Sequence, residues 1–183
     1  MVVSTALLIR ERGARATSIA DVLAHSGAPR GSAYHYFPGG RTQLLGEATD
    51  YAGEYVARRI RRAGSAREAF DALIEYYRVQ LSDTEFRAGC PVVAVAVESG
   101  SEAEPELRER AAAAFALWTQ ALAELLVNDG LAELAAAELA VLLISAIEGA
   151  LVLARAGRDT EPLDVVHRYL RSLLPERATD RST

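Results

Sequence analysis

The chain has 183 residues, half of them apolar, which is enough for a sizeable core and argues against a disordered chain. A net charge of −5 argues, as a total, against a nucleic-acid partner, but its distribution does not: residues 1–62 hold nine Arg against five acidic residues, and residues 63–183 hold eleven against twenty. One cysteine excludes an internal disulfide, and no basic leader with an apolar segment opens the chain, so the expected compartment is the cytoplasm.

Apolar residues recur at helical spacing almost throughout and strand-type alternation is nearly absent, so the expected fold class is all-α. The first helix spans about 2–12 and stops at Gly13. Ser18, with Asp21 three residues on, opens a second helix that ends at Gly27. A short third helix covers about 29–36, and a long fourth covers about 41–62, broken at Gly64. "SARE" at 65–68 is a capping box opening a fifth helix, with Phe70, Leu73, Ile74, Tyr77 and Leu81 on its apolar face. "CPVVAVAVES" at 90–99 is rich in β-branched residues and leaves helix and strand open on its residues alone. The next helix covers about 104–127, with Leu107, Ala111, Phe115, Trp118, Leu122 and Leu125 on one side. Another covers 134–157, closed by Gly157. Glu138 and Glu148 interrupt its apolar run, so it is expected to be a buried helix and not a membrane span. Thr160 and Pro162 open a final helix with a Leu163, Val166, Leu170, Leu173, Leu174 stripe. The remainder, 176–183, is expected to be a disordered tail.

Residues 28–40, "APRGSAYHYFPGG", put two prolines, three glycines and four aromatic rings, His35 among them, into thirteen positions. Two short helices joined at Gly27 make a helix-turn-helix, whose second helix enters the major groove of DNA. Gly31 and Ser32 let the backbone come close to bases, and Arg30 reaches a guanine edge or a phosphate. Tyr34, His35 and Tyr36 carry polar tips on apolar stems. The first amides of the fourth helix, with Arg41, offer an anion site.

The stretch 17–45, "TSIADVLAHSGAPRGSAYHYFPGGRTQLL", resembles the DNA-binding signature of TetR/AcrR-type transcriptional regulators. "FPGGRTQLL", "GCPVVAVAVES" and "SAIEGALVLARAG" are similar to the LmrA/YxaF-like subgroup. The resemblance implies a three-helix DNA-binding head over 1–46 and a helical ligand-binding, dimerising body over 47–175. It also implies that 90–99 is helical, making about nine helices. Carried over by position, Thr17 and Ser18 meet phosphate, Arg30, Gly31, Ser32 and Tyr34 face bases or sugars, and His35, Tyr36 and Arg41 hold phosphates. Ala33 and Phe37 face the core of the head. Two departures stand out. Pro29 occupies a position where the family commonly has a capping Ser, and this sequence has no basic extension before its first helix.

In the body, Leu139, Leu142, Ala146, Ala150 and Leu153, with Val166, Leu170 and Leu173, suggest a homodimer seam of two helices per subunit, with Gly149 allowing close approach. Tyr77, Phe86, Val93, Val97, Trp118, Leu122, Ile147 and Glu148 are the expected lining of an effector pocket. Glu148, inside a strongly apolar helix, must pair with an Arg, cross the dimer seam or face a ligand. Cys90 reads as a small buried hydrophobe, and Arg58, Arg59, Arg61 and Arg62 as a solvated helix end. His25, His35 and His167 fall in no metal spacing, so neither metal, cofactor nor enzymatic activity is expected. The expected function is a repressor that binds a palindromic operator in double-stranded DNA as a dimer and is released by a small, largely apolar effector. The alternative is a helical small-molecule-binding or scaffolding protein without sequence-specific DNA binding.

Overall fold

Residues 1–98 and 104–176 are described by a computed structural model, so the expected tail lies outside the described residues. Among the described residues there are nine α-helices and no strand. They divide into two compact units, Met1–Glu54 with Arg87–Phe115, and Tyr55–Phe86 with Ala116–Thr183.

The first unit holds α1 (Val2–Arg12), α2 (Ile19–Ser26), α3 (Arg30–Tyr36), residues 40–54 of α4 (Gly40–Arg62), α6 (Pro91–Glu98) and residues 105–115 of α7 (Pro105–Asn128). Its small core is Leu8, Val22, Phe37 and Leu44, with Met1, Val2 and Ile19 packed against it. Each of these buried side chains contributes about 1.5–3 kcal/mol of transfer free energy. The open segment at 90–99 is a helix over Pro91–Glu98. Pro91 presets the backbone of its first residue, and the Cys90 carbonyl accepts the Ala94 N–H at 3.1 Å. α6 packs on α1 through the fully buried Val92 and Val95, three residues apart on one face, and the Gly89 N–H donates to the Arg10 carbonyl at 2.7 Å. At Gly53 α4 runs close against α7: a Cβ there would lie 2.8 Å from the Cβ of Ala114.

The second unit packs α5 (Ala66–Asp83), α8 (Glu133–Gly157) and α9 (Glu161–Arg171) together, with Trp118, Leu122 and Leu126 of α7 fully buried. The seventh helix buries Leu126 where the periodicity pointed to Leu125, which is half-buried. The capping box of α5 is half formed. Ser65 accepts the Glu68 N–H at 3.1 Å, but the Glu68 carboxylate accepts from Gly64, one residue earlier than a reciprocal box requires. Gly157 does not close α8. It is the last helical residue, and Arg158 takes the left-handed position at φ 54°. By length and composition alone α7 and α8 would suffice to cross a membrane. Packing nevertheless makes α8 a core helix on one face: Ala136, Ala140, Leu143, Ile147, Leu151 and Ala154 are buried at helical spacing. Its opposite face exposes Leu134, Val141, Leu142, Val152 and Leu153. Ala150, expected at a dimer seam, instead belongs to the buried face.

Candidate nucleic-acid interface

The helix-turn-helix follows from local chemistry. Ser18 caps α2: its hydroxyl accepts the Asp21 N–H at 3.2 Å, and the Asp21 carboxylate accepts the Ser18 N–H at 3.0 Å. The Ser18 hydroxyl also donates to the Asp21 carboxylate, and this bond, with the one from the Ser18 amide, holds the Asp21 carboxyl below the usual carboxylate range. Gly27, at φ 68°, ends α2 in the left-handed conformation that glycine adopts without strain. Extended Pro29 then starts α3 without a side-chain cap. At the other end of α3, Phe37 caps the helix, and Gly40, at φ 67°, turns the chain into α4.

α3 has two faces. Ala33 and Phe37 are buried four residues apart, as the head's core requires. Arg30, Gly31, Tyr34, His35 and Tyr36 stand outside, with Tyr34 75% and Tyr36 65% exposed, and Ser32 is half-buried. The rings of His35 and Tyr36 meet edge to face at 5.0 Å. A Cβ on Gly31 would meet nothing within 4 Å, so the protomer's own packing does not require glycine there. Between α2 and α3 lies a groove of about 480 Å³, walled by Ala20, Leu23, Ala24 and Ala28 and edged by Arg30 and Tyr34. Ser18 is exposed at the start of α2.

Two expected phosphate contacts have other partners. Thr17 is 1% exposed, and its hydroxyl donates to the Gly13 carbonyl at 2.8 Å, so its side chain fastens the α1–α2 turn from inside. Arg41 is turned toward the same turn. Its Nε donates to the Thr17 carbonyl at 2.9 Å, one Nη donates to the Ala14 carbonyl, and the other lies 3.5 Å from Glu104. The sequence reading missed Gln43, which ties α3 to α4 by accepting the Gly39 N–H at 2.8 Å and donating to the Tyr36 carbonyl at 3.4 Å. A glutamine three residues into a glycine-led helix was the available signal.

The expected effector residues fall into both units. Tyr77, Trp118, Leu122 and Ile147 are buried in the second, and the Tyr77 hydroxyl donates to Glu148 Oε1 at 3.2 Å. Glu148 thus meets a tyrosine of its own unit. Phe86 is half-buried, with a left-handed backbone at φ 60°. Val93 is half-buried and Val97 72% exposed in the first unit, because the register of α6 turns Val92 and Val95 inward. Of the arginines near the end of α4, Arg58, Arg61 and Arg62 are exposed, whereas Arg59 lies over the ring of Tyr76 at 4.7 Å.

Residues 3–48 match the family described as bacterial regulatory proteins, tetR family, and residues 66–169 match the transcriptional regulator LmrA/YxaF-like, C-terminal domain. An HTH-type transcriptional regulator of Mycobacterium tuberculosis is 59% identical over 186 residues, covering 100% of this chain and 96% of that protein. The HTH-type regulator LmrA of Bacillus subtilis is 32% identical over 160 residues, covering 85% of each. Among solved structures, a TetR transcriptional regulator from Legionella pneumophila superposes with a TM-score of 0.80 at 22% identity, covering 94% of this chain and 95% of that one. The regulator CifR, solved with operator DNA, does so at 0.72 and 22%, covering 96% of each. At these identities the structural likenesses carry the fold, and the sequence matches carry the kinship. The chain belongs to the TetR family of bacterial transcriptional regulators, with a LmrA/YxaF-like C-terminal domain.

Proposed function

We propose that this protein is a cytoplasmic repressor, not an enzyme, which occupies a two-fold operator as a homodimer and leaves it when a small, largely apolar molecule binds. The observation that carries the reading is the division of labour on α3. One face is fixed in the core by Ala33 and Phe37, while Arg30, Gly31, Tyr34, His35 and Tyr36 are exposed to solvent on the other. Arg30 suits a guanine edge, Gly31 leaves room for close approach, and the tyrosine and histidine tips suit phosphate oxygens, as does Ser18. The alanine-walled groove beside Arg30 and Tyr34 suits a sugar ring or a thymine methyl.

The dimer reading rests on the exposed stripe of α8, with Gly149 in its middle, where a Cβ would meet nothing within 4 Å, and on exposed Tyr169 and Leu173 beyond it. The effector reading rests on the second unit. There the Tyr77–Glu148 pair is a polar anchor among the apolar Trp118, Leu122 and Ile147, with Phe86 of the same unit kept as a further candidate. To weaken operator binding 10- to 100-fold, an effector must favour the released state by about 1.4–2.8 kcal/mol.

Selection from random duplex DNA tests the reading. The expected outcome is enrichment of a two-fold sequence whose affinity falls steeply with salt, with about eight phosphate contacts for a dimer. Enrichment of no sequence at all removes the repressor reading and leaves a ligand-binding protein.

A further inference from the structure

Glu98, the last residue of α6, reaches the turn that joins α1 to α2. Its Oε2 accepts the main-chain N–H of Arg15 at 2.6 Å. The Arg15 side chain answers, donating to the Glu98 carbonyl from Nε at 3.2 Å and from Nη2 at 3.0 Å. The carboxylate is so close to Gly13 that a Cβ there would collide with Oε1, and Gly13 also holds φ 89°. The rest of α6 holds the body of α1 through Val92, Val95 and the Gly89 N–H, so among the described contacts of α6 only Glu98 grips the turn itself.

We propose that Glu98 is a positioning residue for DNA binding: it sets the Gly13–Thr17 turn, and through it the placement of Ser18 at the start of α2. The inference rests on the DNA-binding reading of the head. An isolated surface ion pair would contribute little, because solvent screens it. This contact differs in kind. A carboxylate on a main-chain N–H fixes the backbone itself, and the returning guanidinium bonds close the loop in both directions. Inside the turn, Thr17 and Arg41 already hold Gly13, Ala14 and Thr17 by their carbonyls, which leaves the Arg15 amide as the point governed from α6. Removing the carboxylate frees that amide while Val92 and Val95 keep α6 docked, so the fold survives and the placement of Ser18 loosens.

The test uses the full-length chain, its selected operator duplex and two variants. Glu98→Ala should lower operator affinity about tenfold, a change of about 1.4 kcal/mol. It should also speed hydrogen exchange at the Arg15 amide, while leaving the thermal midpoint nearly unmoved. Glu98→Gln, which keeps an amide oxygen to accept from Arg15, should restore most of both. A Glu98→Ala variant that binds the operator like the parent overturns the inference, as does one whose Arg15 amide exchanges at the parent's rate. If the parent itself selects no DNA, the DNA-binding reading fails separately, and the exchange comparison still decides whether Glu98 holds the turn.

Discussion

Arg171 grips Asp71 with a two-pronged guanidinium, Nε to Oδ1 at 2.8 Å and Nη2 to Oδ2 at 3.0 Å, and so fastens α9 to α5. His167 adds a further contact to the same carboxylate at 2.7 Å. Burial pushes the Asp71 carboxyl up, but the hydrogen bonds and charges of Arg171 and His167 outweigh it and hold the group below the usual carboxylate range. A carboxyl depressed in the fold contributes stability above its unfolded pKa, near 3.9, and loses it as pH falls through the folded value. Asp71→Asn should therefore cost about 1 kcal/mol at neutral pH, a partly exposed pair being solvent-screened, and progressively less below about pH 4. Urea unfolding of both proteins across that range checks it.

A second expectation concerns the close packing of α4 on α7 at Gly53. Because the atom facing Gly53 is the rigid Cβ of Ala114, at 2.8 Å, no side chain can swing aside. Gly53→Ala should cost about 1–3 kcal/mol by overpacking, and Ala114→Gly in the same chain should recover part of it. A double-mutant cycle without a coupling energy contradicts the packing.

Arg158 carries a side chain at φ 54°, ψ 41°, where helices commonly place glycine. Relief of that strain in Arg158→Gly should raise stability by about 0.5–1 kcal/mol, or roughly 1–4 °C in Tm for a chain of this size. A calorimetric midpoint below the parent's would show that the arginine side chain contributes more than its backbone costs.

Arg30→Ala and Arg41→Ala should part company. Arg30 is exposed, so its loss should leave unfolding unchanged while relaxing discrimination at one operator base pair by about 1–3 kcal/mol. Arg41 ties the Ala14 and Thr17 carbonyls, so its loss should destabilise the protein by about 2 kcal/mol and weaken all DNA alike. Thermal unfolding run beside binding to selected and scrambled duplexes separates the two.

The helices were legible because their signals are local. Ser18 with Asp21, Gly27, and the Ala33–Phe37 spacing announce the helix-turn-helix within a few residues of one another. Residues whose partners lie far off in the chain were not legible. Nothing near Arg41 shows that its guanidinium will take carbonyls 24 and 27 residues earlier, so a basic residue beside a DNA-reading helix was expected at phosphate. Glu98 and Arg15 stand 83 residues apart, and neither carries a pattern that points to the other. Periodicity also misjudged α8. Both of its faces are apolar, so spacing alone could not say that Ala150 lies inward while Val141 and Val152 lie outward.

α3 has seven residues, includes a glycine and lacks a side-chain cap, so little of its order comes from itself. Its buried anchors are the side chains of Ala33 and Phe37, and the Tyr36 carbonyl that Gln43 holds belongs to the main chain, so the outward side chains lie outside that anchorage. The outward positions are therefore free to change with almost no effect on folding. On the proposed reading, a lineage can rewrite which base sequence the head reads, one exposed residue at a time, with little change in the stability of the fold.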